Sequence, residues 1–350
     1  MKRQENALRL LHEGTVIPAI PLVLDENRKF DAEGQKRLIR YYLASGVGGI
    51  AVGVHTTQFA IRRPEIGLFE PVLTAAAEEI GKFEAETGKT VIRVAGACGE
   101  TPQTLREAET ARALGYDAVL LSPGGLGHLS DDDLIERTRA AAEVMPVIGF
   151  YLQLACGGRY LGYDYWRAVA DIPNVAAIKC ASFNRYATIE LVRGVAFSSR
   201  REEVALYTGN DDNIVADLLT PYRFTVNGEK VELRFRGGLL GHWSVWCRKV
   251  VELFHTLREY RDGRDIPADL LSLGAEITDA NGVIFDAAHT FAGCIPGVHE
   301  VLRRQGLMPG TWCLDPDETL SPGQAEELDR IARMYPELSD DGFVKAYLGK

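Results

Sequence analysis

Apolar positions along this chain switch between two periods. Short runs of consecutive or β-branched apolar residues alternate with longer stretches in which apolar residues recur every three to four positions. These are the patterns of buried strands and amphipathic helices. Strand-like runs fall at 15–24, 49–54, 90–97, 118–122, 146–153, 175–181, 204–208 and 238–244. A helix-like stretch follows each, at 31–45, 66–85, 102–114, 131–144, 163–171, 186–195, 212–219 and 245–258. Regular alternation of eight such units predicts an α/β protein, a (β/α)8 TIM barrel rather than an open sheet. No Gly-x-Gly-x-x-Gly follows the first strand, which weighs against a dinucleotide-binding sheet.

Two stretches fall outside the alternation. Phe224, Val226, Val231, Leu233 and Phe235 alternate around Asn227-Gly228, which predicts a β-hairpin insertion over about 223–236, before strand eight. Beyond the barrel, taken as 1–260, helical patterns around 269–276, 297–305, 322–334 and 342–348 predict a C-terminal helical extension over 261–350, packed on the barrel. Within it, Asp279-Ala280-Asn281-Gly282 reads as a turn. At the other end, residues 7–14 read as a short amphipathic helix stopped by Gly14, not as a secretory segment.

Composition narrows the function classes. The net charge of −10 lacks the basic footprint of a nucleic-acid binder. No apolar run approaches the ~20 residues of a membrane span. The six cysteines are scattered without a C-x-x-C pair, which reads as reduced thiols in a cytoplasmic protein and against a structural zinc site. The 35 glycines exceed the usual share of about 7%, and Gly53, Gly96, Gly99, Gly124, Gly125, Gly127, Gly157, Gly158, Gly209, Gly237, Gly238 and Gly241 fall mostly near the predicted strand ends, around one mouth of the barrel.

Candidate chemistry centres on one residue. In Val175-Ala176-Ala177-Ile178-Lys179-Cys180-Ala181 a single lysine interrupts an apolar strand. Alternation of faces places Val175, Ala177, Lys179 and Ala181 inside the barrel, with small neighbours leaving room beside the amine. A buried lysine either pairs with a carboxylate, reaches for the rim, or serves as a desolvated nucleophile. On strand five the same alternation places Val147, Gly149, Tyr151 and Gln153 inward. Tyr151 then stands beside Lys179 at the carboxyl ends of adjacent strands, where a phenol can move protons for imine chemistry.

The 28-residue separation of Tyr151 and Lys179 resembles the tyrosine-to-lysine spacing of the dihydrodipicolinate synthase / N-acetylneuraminate lyase family. Other segments resemble it in order. They are Gly14–Ala19 at strand one, His55-Thr56-Thr57 after strand two, Tyr207–Asp212 after strand seven, Gly237–Val245 at strand eight, and 305–310 and 320–324 in the C-terminal region. The resemblance implies a class I aldolase-lyase without a cofactor, acting on a small 2-oxo acid such as pyruvate or a sugar acid. Lys179 forms the Schiff base, Tyr151 shuttles protons, and Thr57 relays them. The substrate is held by Thr56, His55, Gly209, Arg159 and His242. The resemblance also implies a homodimer or homotetramer.

Departures from the family pattern point to a divergent member, not to dihydrodipicolinate synthase itself. Thr57 is followed by Gln58-Phe59 instead of Gly-Glu, and Pro123 by Gly124-Gly125 instead of a tyrosine pair. Tyr151 is followed by Leu152-Gln153-Leu154 instead of Asn-x-Pro, and Cys156 stands where an arginine is usual, with Arg159 nearby as a substitute. Two rival readings remain. His55, His128 and His242 all follow strand ends and could serve a metal-dependent aldolase. Alternatively, the chain is a non-catalytic sugar-acid-binding relative. Asp211 and Asp212 read as a helix cap more readily than as ligands for substrate.

Overall fold

The computed structural model describes residues 2–261, 263 and 265–349. Eight of its strands form one parallel sheet: β1 (Val16–Pro18), β2 (Gly49–Val52), β3 (Ile92–Ala97), β4 (Ala118–Leu121), β5 (Val147–Leu152), β6 (Val175–Ala181), β7 (Ala205–Thr208) and, after an excursion, β10 (Phe235–Leu240). The order around the sheet is β1-β10-β7-β6-β5-β4-β3-β2. A parallel bridge between Ala19 and Ala51 joins its two edges into a barrel. Closure leaves no open edge, and the crossover helices cover the outside, so both faces of each strand are buried.

The excursion is the expected hairpin. Strands β8 (Tyr222–Val226) and β9 (Glu229–Leu233) pair antiparallel around Asn227-Gly228. Both turn residues have positive φ, 50° and 87°, as a two-residue type I′ turn requires. Phe235 and Arg236, included in the predicted insertion, instead begin the last barrel strand.

Helix ends carry their own stop and start signals. Ser130 and Asp133 form a reciprocal capping box on helix 131–144, and Asn184 caps helix 185–196. The helices Cys247–Arg261, Ala268–Ile284, Cys294–Arg304, Gln324–Met334 and Asp341–Leu348 complete the chain. The turn expected at 279–282 is instead helix interior. Asp279 binds Arg330 and Tyr335 there, and the Asn281 side chain donates to the Asp211 carbonyl at 2.7 Å. Partners from distant segments outweigh the local turn preference of Asn-Gly.

The apolar core has two layers. One lies between sheet and helices. The other fills the barrel and includes Ile92 and Val94 of β3, Leu120 of β4, Ile148, Phe150 and Leu152 of β5, and Ala177 and Ala181 of β6. The helix Lys2–Glu13 closes the amino end of the barrel, placing Ala7 and Leu11 in this inner layer, and Tyr207 donates its hydroxyl proton to the Leu11 carbonyl at 2.8 Å.

The phase of β5 is opposite to the one expected. Ile148, Phe150 and Leu152 point inward, while Gly149 and Tyr151 face the helices. Register against β6 is consistent, with Phe150 opposite Lys179 and Tyr151 opposite Cys180. Trp166 of helix 163–171 accounts for this phase. It lies over Gly149, where an added Cβ would sit 3.5 Å from the indole, and packs against the Tyr151 ring at 5.4 Å between centroids. A continuous apolar run carries no alternation from which to read the inward face.

Candidate active site

Lys179 stands on the inner face of β6, 7% exposed, with its ammonium 4.3 Å from the centroid of the Phe150 ring. It lines a cavity at the carboxyl ends of the strands, with about 600 Å³ of atom-free space including its open mouth. Room for the amine depends on Gly209, since a Cβ there would lie 2.5 Å from the lysine Cε. The Gly209 amide donates to the Cys180 carbonyl at 2.6 Å, which fixes the turn after β7 against β6.

Burial holds the Lys179 amine below the ordinary lysine range, against the opposing pull of the Asp211 carboxylate and the Cys156 thiol. Asp211 lines the same cavity. Burial pushes its carboxyl up from the usual aspartate range, although the His242 amide and Lys179 favour its charged form. Its Oδ1 accepts the His242 backbone N–H at 2.9 Å. The expectation of a helix cap is therefore not met. Asn213 occupies the cap position of the short helix Ile214–Leu219, and Asp211 faces the lysine's cavity.

The loop after β2 supplies His55 and Thr56 to the cavity wall. Burial and the neighbouring Lys179 hold the His55 imidazole down at about 4, so it is neutral near pH 7. The Thr56 hydroxyl donates to the Ala19 carbonyl at 2.6 Å, and the Thr57 hydroxyl to the Ile20 carbonyl at 2.7 Å. Both hydroxyl protons tie this loop to the chain after β1. Thr57 also accepts the Gly53 amide at 3.0 Å. It does not line the cavity, and the expected relay to Tyr151 does not form.

Other expected site residues lie elsewhere. The Tyr151 hydroxyl, outside the barrel, accepts the Leu161 amide at 3.3 Å, so Tyr151 does not share the Lys179 cavity. Phe150, which carries no proton to transfer, occupies the place beside the amine. Arg159 is turned to Asp131 at 2.9 Å and to the Leu129 carbonyl, away from the cavity. The side chain of His242 lines a separate cavity with Leu253 and Ile277. His128 is exposed and bonded to Glu100 at 3.0 Å. The three imidazoles proposed as a metal site therefore do not converge. Among the described residues no group of three or more His, Cys, Asp or Glu is placed to hold a metal ion.

The rest of the wall comes from regions whose local pattern carries no chemical signal. Phe183 follows β6, while Phe285, Phe291 and Cys294 arrive from the C-terminal helices more than 100 residues after Lys179. Only the folded chain brings them to the lysine.

Comparison with known proteins agrees with the barrel fold. A family model described as the dihydrodipicolinate synthetase family matches residues 13–221. The N-acetylneuraminate lyase of Citrobacter koseri is 28% identical over 208 residues, 58% of this chain and 65% of that protein. The enzyme of the same name from Salmonella paratyphi B is 25% identical over 208 residues, with the same coverage. The matched region thus spans just under two-thirds of these relatives' length. Among solved structures, dihydrodipicolinate synthase from Oceanobacillus iheyensis superposes with a TM-score of 0.74 at 18% identity, covering 96% of this chain and 99% of that one. N-acetylneuraminate lyase from Fusobacterium nucleatum superposes with a TM-score of 0.70 at 13% identity, covering 93% and 99%. These superpositions bear on the fold, a barrel followed by C-terminal helices.

Proposed function

This chain belongs to the dihydrodipicolinate synthetase family, and on that premise we propose that it is a class I lyase that forms a Schiff base between Lys179 and a 2-oxo acid. The observation that carries the reading is the desolvated lysine on the inner face of β6, in a cavity it shares with Asp211. The relatives named N-acetylneuraminate lyase support the same class of chemistry.

The neutral amine attacks the C2 carbonyl of the acid. A C–N bond forms, the carbonyl oxygen takes up two protons, one given up by the amine and one from solvent, and loss of water leaves an iminium. In the cleavage direction the C3–C4 bond of a 4-hydroxy-2-oxo acid breaks, and its electron pair flows into the iminium to give an enamine. The proton of the C4 hydroxyl passes to a base, and an aldehyde departs. Protonation at C3 and hydrolysis by water then release pyruvate and regenerate the amine. Asp211 is the base in this reading, because burial brings its carboxyl closer to neutrality and it faces the same cavity. The backbone amides of His55 and Thr56 open a short turn and have no acceptor within it, so they are the donors for the acid's carboxylate.

A cytoplasmic location and a homodimer or homotetramer belong to the same reading. The six cysteines are all unpaired, and no helix among the described residues is long and apolar enough to cross a membrane. Sedimentation of the purified chain gives the oligomeric state.

The decisive experiment is reduction by borohydride in the presence of pyruvate, read by intact mass. A covalent pyruvate adduct at Lys179 is expected, and Lys179→Ala should lose it while keeping its circular dichroism spectrum. An adduct undiminished in that variant, or ligand binding without any adduct in the wild type, would overturn the mechanism.

A further inference from the structure

Most of the cavity wall is carbon, with His55, Thr56, Gln153 and Asp211 the polar side chains beside the amine. Val54, Phe150, Leu152, Phe183, Phe285 and Phe291 supply most of it. Phe183 and Phe291 pack edge to face at 5.8 Å between centroids. Each has left-handed backbone, with φ of 50° and 67°. Non-glycine residues rarely adopt that conformation, and it persists only where surrounding contacts fix it. Here the Phe183 amide donates to Asn210 Oδ1 at 3.0 Å and the Phe291 amide to the Asp286 carbonyl at 2.9 Å. Two segments far apart in sequence are thus held in uncommon geometry so that two phenyl rings meet in the cavity wall.

Polar groups able to receive a ligand tail are few. Among the described residues Lys179 is the one lysine or arginine in the wall, and its amine is committed to C2 of the acid. Arg159 is bound to Asp131. Asp211 presents negative charge to any second carboxylate, and the Thr56 hydroxyl proton is already donated. A second carboxylate on the ligand would be desolvated without a counter-charge, and a polyhydroxyl tail would have only Gln153, His55 and Asp211 to bond among the phenyl rings.

We propose that the Lys179 cavity selects a monocarboxylic 2-oxo acid whose tail is aromatic or branched alkyl, so that the aldehyde released or captured is apolar. The tail lies against Phe183, Phe285 and Phe291, and the acid end lies at Lys179. This selection rests on the Schiff-base reading for its chemistry, but its binding preference can be measured separately.

The test ranks three acids by calorimetric binding to the full chain: 2-oxo-4-phenylbutanoate, 2-oxoglutarate and a 3-deoxy-2-oxo sugar acid. The phenyl acid is expected to bind at least tenfold more tightly than either of the others. Phe291→Ser is expected to shrink that preference at least fivefold. Equal or tighter binding of the diacid or the sugar acid overturns the proposal, as does failure to bind the phenyl acid. Borohydride trapping with pyruvate is scored independently. An adduct without apolar preference rejects the tail selection and keeps the Schiff base. Apolar preference without an adduct does the reverse.

Discussion

At the scale of single residues, the position of one amine among apolar side chains sets the chemistry. Burial costs the charged form of Lys179 more than Asp211 and Cys156 recover for it. The neutral amine is therefore present at lower pH than for an exposed lysine, whose pKa is about 10.4. The rate of borohydride trapping should rise with pH and level off below that ordinary value. Asp211→Asn removes the anion that raises the lysine's pKa, so the rise should move to lower pH in that variant. A rise that stays in place would show the two groups to be uncoupled. Tyr151 gives the complementary expectation. Its hydroxyl accepts the Leu161 amide outside the barrel. Tyr151→Phe should cost about 1 kcal/mol of stability in denaturant titration, the worth of one hydrogen bond. Pyruvate trapping should persist in that variant, and its loss would return Tyr151 to the site.

At the scale of elements, the barrel's two ends are built from different materials. The amino end is closed by the helix Lys2–Glu13, whose Leu11 enters the inner layer and whose Leu11 carbonyl accepts the Tyr207 hydroxyl. Leu11→Ala opens a void in a packed interior and should lower stability by about 2–5 kcal/mol, measured by thermal or urea unfolding. This helix lines no part of the Lys179 cavity. Trapping of pyruvate in the folded fraction should be retained. At the carboxyl end, the loop after β2 is fixed from two sides. Threonine hydroxyls bind it to the chain after β1, and Gln58 Oε1 accepts the Leu314 amide at 2.6 Å. Glycine turns and short loops at this end keep backbone close to the amine, as at Gly209.

At the scale of the whole molecule, the C-terminal helices complete the cavity. Phe285, Phe291 and Cys294 reach the wall from beyond residue 280. Asn281 couples this region to Asp211, since its side chain donates to the Asp211 carbonyl at 2.7 Å. Asn281→Ala leaves that buried carbonyl without its donor and should cost about 1–3 kcal/mol. The same change should slow imine formation by loosening the segment that carries Asp211, read as the single-turnover rate of trapping. An unchanged rate would separate the C-terminal helices from the chemistry.

The order of eight strands and eight helices, the hairpin at Asn227-Gly228 and the inward lysine of β6 follow from the sequence alone. Periodicity, turn chemistry and a charge inside an apolar run are local signals, and neighbouring residues enforce them. The inward face of β5 does not follow from the run Val147–Leu152, because every residue in it is apolar enough for either face. Trp166, arriving from the next helix, selects Tyr151 for the outside and leaves Phe150 beside Lys179. The same holds for Asp211, which local pattern assigns to a helix cap, and for the three C-terminal wall residues. Their roles are set by packing across long sequence separations. Local pattern thus fixes where the buried lysine stands, while long-range packing decides which groups surround it.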